Sequence, residues 1–387
     1  MSMLLNQEQR LLRDTAQDFL AARAPVSALR QLRDTRDRQG YAPALWREVA
    51  EMGWTAAVFP EAYGGLDFGY KALGAVFEQT GRTLAALPLL SSIVLGGGLL
   101  VAAGNDAQRD TWLPGVARGE TLLALALEER PRHNPTAVAL HARTEGDHWV
   151  LDGEKWFVLD GHIADRLIVV ARTSGVAGDR HGLSLFLVDP ASAGVIVERT
   201  IMVDSRNAAR VRFDRVRCGA DALLGTCDEG FAPLDAVLDR ARICVAAELL
   251  GVIREAFART VAYLKDRVQF GVQIGSFQAL QHRVARLYAE IELLDSCVAA
   301  ALESLESSDD ANATARGNST PLLASLAKAR ASDLSERVLN EAVQMHGGIG
   351  VTDELELGLF LKRGRALQQT FGDGVFHRSR YAALRDF

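Results

Sequence analysis

The chain changes its hydrophobic rhythm twice. In "NQEQRLLRDTAQDFLAAR", Leu11, Leu12, Phe19 and Leu20 recur near helical spacing, and Asn6 stands where an N-cap belongs. "APALWREVAEMGW" predicts a second helix that Gly53 ends, whereas Pro and paired glycines in "VFPEAYGGLDFG" predict a loop. "YKALGAVFEQTGR" and the apolar stretch after it resume the helical pattern. From 121 to 230 the apolar segments shorten and alternate: "TLLALALEE", "AVALHARTE", "HWVLDGEKWFVLDG", "DRLIVVART", "GLSLFLVD", "GVIVER" and "ARVRFDRVRC". Separated by Gly, Asp and Pro, they predict roughly seven strands of a barrel or sandwich. Beyond Gly230 long helical patterns return in "APLDAVLDRARICVAAELLGVIREAFARTVAYLKDR" and "SFQALQHRVARLYAEIELLDSCVAAALESLE". The polar run "SSDDANATARGNST" predicts an exposed inter-helix loop. A third helix begins with Pro321 at N1 and stops at Gly347. The architecture expected is an N-terminal all-α domain (1–120), a middle β-domain (121–230) and a C-terminal four-helix bundle (231–387).

Composition narrows the function classes. The 387 residues are 48% hydrophobic and 24% charged, which is ordinary for a soluble globular protein. A net charge of −6 argues against a broad nucleic-acid footprint. Cys218, Cys227, Cys244 and Cys297 form no CxxC pair and no metal-ligand spacing with a histidine, as expected of reduced thiols in a cytoplasm. Charges in "MSMLLNQEQRLLRD" interrupt what an export signal needs as an apolar core. Ala86–Gly104 is uncharged and nearly long enough to span a bilayer, but Pro88, paired serines and three glycines predict a buried helix instead of a membrane insertion.

Five motifs, in order across three domains, resemble the acyl-CoA dehydrogenase family over essentially the whole chain: "FPEAYGGLDFG", "LDGEKWFVLDG", "LLGTCDEGF", "RVQFGVQIGSFQALQH" and "QMHGGIGVTDE". The resemblance implies the cofactor FAD. It places Phe157 as the aromatic residue beside the flavin. It also implies that Arg267, Phe270, Gln278, Gln344, Gly347 and Gly348 hold the FAD of a neighbouring subunit. The chemistry is coherent: Arg267 offers a fork of donors for a pyrophosphate, and paired glycines admit close backbone approach. Gly347 on its own reads better as the residue ending a helix; beside Arg267, Gln278 and Gln344 the cofactor reading is preferred. In "VLDRARICVAAELLG", Asp239 and Arg242 match positions that bond the pantetheine arm of an acyl-CoA thioester. Three apart on one helix face, they read equally as a surface ion pair.

The catalytic positions depart from the family pattern. α,β-Dehydrogenation needs a carboxylate to take the α-proton. Where most members carry Glu in the last turn, "TFGDGVFHR" has Gly372; where others carry it before the matched arginine, this chain has Ala241. Leu127 and Leu159 replace hydroxyls expected to bond the flavin, and His133 falls near a lost serine. The features facing a neighbour's FAD are thus kept and those gripping a flavin of the chain's own are reduced. This pattern resembles the divergent small subunit of heteromeric bacterial enzymes such as pimeloyl-CoA dehydrogenase and the paired steroid side-chain enzymes. It implies a homodimer, homotetramer or heterotetramer with a catalytic chain, and electron-transfer flavoprotein as acceptor. Two alternatives stand beside it. In one, Asp373 has become the base, against its simpler reading as an N-cap. In the other, the chain is a non-catalytic scaffold or nucleic-acid-binding relative.

Overall fold

The computed structural model describes residues 5–306 and 319–387; the polar run read as a loop lies almost wholly outside them. By contacts the chain divides into two units, residues 1–31, 70–85 and 242–387, and residues 32–69 and 86–241.

The second unit is built around an eight-stranded sheet. Its strands are β1 (Leu123–Ala126), β2 (His141–Glu145), β3 (His148–Leu159), β4 (Arg166–Arg172), β5 (Leu183–Val188), β6 (Val195–Ile201), β7 (Asn207–Cys218) and β8 (Leu223–Leu224). The path runs β6-β7-β3-β2-β4-β5-β8, with β1 parallel to β4 off that path. The inward alternate residues, among them Leu151, Leu167, Phe186, Val211 and Phe213, form one buried cluster. All seven sequence-predicted strands are present. The eighth, two residues long, is too short to show a period.

The same unit holds helices α3 (Pro43–Glu51), α5 (Gly98–Ala103) and α6 (Asp106–Ala117). Most of the membrane-like stretch is buried, and Leu89–Gly97 within it, buried throughout, winds as a π-helix. Among the described residues no helix is long and apolar enough to cross a membrane.

The first unit is helical. It holds α1 (Gln7–Arg23), most of α4 (Gly69–Thr83), the greater part of α7 (Phe231–Asp266), α8 (Gln278–Glu306), α9 (Thr320–His346), α10 (Leu357–Gln369) and α11 (Gly374–Leu384). Asn6 caps α1 in a reciprocal capping box with Gln9, Pro321 opens α9, and Gly347 closes it at φ +67°. A nine-residue helix, α2 (Val26–Asp34), escaped the sequence pattern. Among the described residues the C-terminal bundle has three long helices and two short ones.

Helices α4 and α7 cross at bare backbone. A Cβ added to Gly81 would lie 2.1 Å from the Glu248 carbonyl oxygen, and one on Gly251 would lie 1.9 Å from that of Glu78. Intrinsic propensity would favour Ala over Gly in a helix by about 1 kcal/mol. Overpacking against backbone costs about 1–3 kcal/mol or more, because a main chain cannot rotate away. Gly251→Ala is therefore expected to destabilise the protein by about 2 kcal/mol net, read from the midpoint of a chemical denaturation curve.

Candidate active site

Two contacts gather the ends of the bundle helices. The Tyr263 ring stacks on His346 at 4.4 Å, and its hydroxyl donates to the His346 carbonyl at 3.3 Å. This ties the end of α7, just before Arg267, to the end of α9, just before Gly347. Arg283 Nε donates to Glu341 at 2.6 Å, tying the first turns of α8, which begin at Gln278, to the last turns of α9, which carry Gln344. Arg267, Gln278, Gln344, Gly347 and Gly348 thus come to one end of the bundle, all exposed.

Phe270 extends this end. It sits in the tight hairpin between β9 (Val268–Gln269) and β10 (Val272–Gln273), where Phe270 and Gly271 have φ of +55° and +79°. Two positive φ values suit a type I′ turn, which ordinarily takes Asn-Gly. A phenylalanine there is strained, and this one is 91% exposed. Strain kept at an exposed aromatic residue points to a contact made outside the chain.

Two further features say the same. Arg254, Arg259, Arg283 and Arg363 all pair with carboxylates, whereas the Arg267 side chain makes no hydrogen bond or ion pair among the described residues. A Cβ added to Gly348 would meet nothing within 4 Å, and Gly348 has no left-handed backbone to accommodate. Nothing in its own chain therefore requires glycine there.

In the other unit, Phe157 lies at a register shift between β3 and β7, with φ +51°. A bulge re-aims a side chain off the sheet, and Phe157 is 39% exposed. The neighbouring segment is closed on itself. Lys155, fully buried, donates to Glu129 at 2.7 Å and to the Leu127 carbonyl at 3.0 Å. Burial pulls its pKa down, and Glu129 pulls it back up. Glu129 also accepts from the amides of Ala139 and Leu140, and His133 pairs with Glu128. Leu127 is 3% exposed.

The last turn is built differently from the rest. Gly372 has φ +109°, and a Cβ there would lie 2.4 Å from Phe376 Cδ1 and 3.0 Å from His377 Nε2. The ammonium of Lys328, fully buried, donates to the carbonyls of Gly372 at 2.8 Å and Gln368 at 3.1 Å, and to Ser332 Oγ at 3.2 Å. Burial and the charge of Arg242 lower its pKa to about 7, with Asp373 opposing. Asp373 is the N-cap of α11, its Oδ1 accepting from the Phe376 amide at 2.7 Å. Asp239 and Arg242 are 2% and 0% exposed, so neither lies on the surface. Ala241 is likewise buried.

Family models of the acyl-CoA dehydrogenase N-terminal, middle and C-terminal domains match residues 6–120, 128–216 and 228–383. The chain belongs to the acyl-CoA dehydrogenase family. It is 31% identical to acyl-CoA dehydrogenase FadE12 of Mycobacterium tuberculosis over 336 residues, 86% of this chain and 85% of that protein. Among solved structures it is similar to a variant of the Tcur3481–Tcur3483 steroid ACAD (31% identity, TM-score 0.84, 98% of each chain). It is also similar to butyryl-CoA dehydrogenase from Megasphaera elsdenii (25% identity, TM-score 0.87, 100% of each chain). Acyl-CoA dehydrogenases are FAD-dependent oxidoreductases acting on CH–CH bonds.

The fit to FAD is divided. The unpartnered guanidinium of Arg267, the bare Gly348 and the strained Phe270 fit a dinucleotide brought up from outside the chain. Phe157 can face a flavin, but Leu127 and Leu159 offer it no hydrogen bond. Which carbonyls Lys328 would hold, and that a phenyl ring would fill the space over Gly372, carried no sequence signal.

Gly348→Ala separates a cofactor role from a structural one. The melting temperature is expected to stay within about 1 °C of wild type, as for a side chain meeting nothing. FAD retained by the assembled protein after dialysis, read from flavin absorbance, is expected to fall at least tenfold, as a loss of about 1.4 kcal/mol or more would produce.

Proposed function

We propose that this chain is one subunit of a mixed acyl-CoA dehydrogenase that α,β-desaturates an acyl-CoA thioester. A partner chain supplies the catalytic Glu, and electron-transfer flavoprotein takes the electrons. The observation that carries this reading is the geometry of Gly372: a left-handed residue, its carbonyl held by buried Lys328, with no room for a Cβ. The base position is more than vacant; the backbone there no longer accepts the residue.

In this reading Arg267 pairs with the pyrophosphate of the partner's FAD, and Gln344, Gly347 and Gly348 present backbone and amide donors beside it. Gln278 and Phe270 close the same end. Bound FAD supplies the hydride acceptor for the substrate β-carbon. The likeness to the two-component steroid ACAD supports a two-chain assembly, and with it a role in fatty-acid or steroid side-chain degradation. Asp373 is a poor base here, because its helix-capping bond to Phe376 already uses one carboxylate oxygen. Four free cysteines suit a cytoplasmic protein, and the acidic balance disfavours a nucleic-acid-binding scaffold.

Loss of a general base costs about 10²–10⁴-fold in rate. The chain purified alone and supplied with free FAD is therefore expected to leave the flavin band unbleached when mixed anaerobically with acyl-CoA esters. In the mixed complex, Asp373→Asn is expected to keep most of the activity, and removing the partner's catalytic Glu to end it. Bleaching by the lone chain that Asp373→Asn abolishes would establish a self-sufficient enzyme instead.

A further inference from the structure

The ring of Phe376 lies where two functions of a catalytic chain would meet. On one side is Gly372, whose added Cβ would fall 2.4 Å from Phe376 Cδ1 and 3.0 Å from Cε1. On another is Arg242, its guanidinium carbon 5.8 Å from the ring centroid. These are the base position and the substrate-side arginine of the family pattern, and one phenyl group lies beside both.

The ring is fixed from several directions. The Phe376 amide donates to Asp373 Oδ1 at 2.7 Å. The ring meets the imidazole of His377 edge-on, with centroids 5.1 Å apart. His377 is itself fully buried, with Nε2 3.1 Å from the Phe371 carbonyl. Lys328 holds the carbonyl of Gly372 from the other side. A buried guanidinium over an aromatic face gains cation–π attraction, which offsets part of the cost of keeping it from water.

We propose that Phe376 is a built-in plug that closes the thioester site of this chain. The proposal rests on the subunit reading above and adds to it. A chain that merely lacked a base would still bind substrate unproductively and compete with its partner. A chain whose substrate arginine lies over its own phenylalanine does not. The loss is also hard to reverse, since a carboxylate restored at 372 would collide with the ring.

The test counts binding sites in the assembled complex, with the partner's Glu replaced by Gln so that ligand is not consumed. Titration calorimetry with octanoyl-CoA is expected to show one more equivalent per pair of chains for Phe376→Ala than for wild type. Equal stoichiometry in the two complexes would overturn the plug. Where Phe376→Ala does not assemble, Phe376→Leu decides through a thermal-denaturation cycle. The fall in melting temperature caused by Gly372→Ala is expected to be smaller in the Phe376→Leu background than in wild type. An equal fall would show that the ring does not occupy that space. The site count needs the partner chain, whereas the cycle can be run on this chain by itself: turnover by the lone wild-type chain would sink the subunit reading, and an equal fall in the cycle would sink the plug.

Discussion

The buried ammonium of Lys328 organises the part of the molecule on which its function turns. An amine taken out of water must find acceptors for its N–H groups, and the three it finds include the carbonyls of Gln368 and Gly372. Those two carbonyls lie at the end of α10 and in the turn before α11, so one side chain of α9 fixes how the last two helices join. With that turn set, Gly372 stands in left-handed conformation, Asp373 caps α11, and the Phe376 ring comes against Gly372 and Arg242. The left-handed Gly372, the capping aspartate and the ring beside Arg242 are consequences of one arrangement.

The opposite end of the bundle follows a different logic. There the strained and unpartnered groups are exposed instead of buried: Phe270 in a tight hairpin, Arg267 without a carboxylate, Gly348 with open space over it. Groups that are costly or pointless within one chain gain a reason when a second chain brings a dinucleotide to them. The chain therefore reads as closed where it would do chemistry and open where it would serve a neighbour.

Much of this was legible in the sequence, for identifiable reasons. The strands show as short apolar runs where both faces are buried, as in β1, β4 and β5, or as alternation where one face meets the core, and Asn6, Pro321 and Gly347 mark helix ends through their own local chemistry. What was not legible depends on distance in space. The π-helical winding of Leu89–Gly97 leaves no periodic trace in a segment buried on every side. The spacing of Asp239 and Arg242 fitted a surface pair as well as a binding pair, and only burial removed the first. The absence of Glu at 372 was plain in the sequence; that a ring four residues later fills the space was not.

On the subunit reading we propose, this chain completes a partner's flavin site and forms none of its own. Counting the flavin tests that directly. FAD released from the purified mixed complex, divided by the amount of this chain, measures the sites each chain contributes. One FAD per pair of chains is the predicted result, and one FAD per chain would contradict the account.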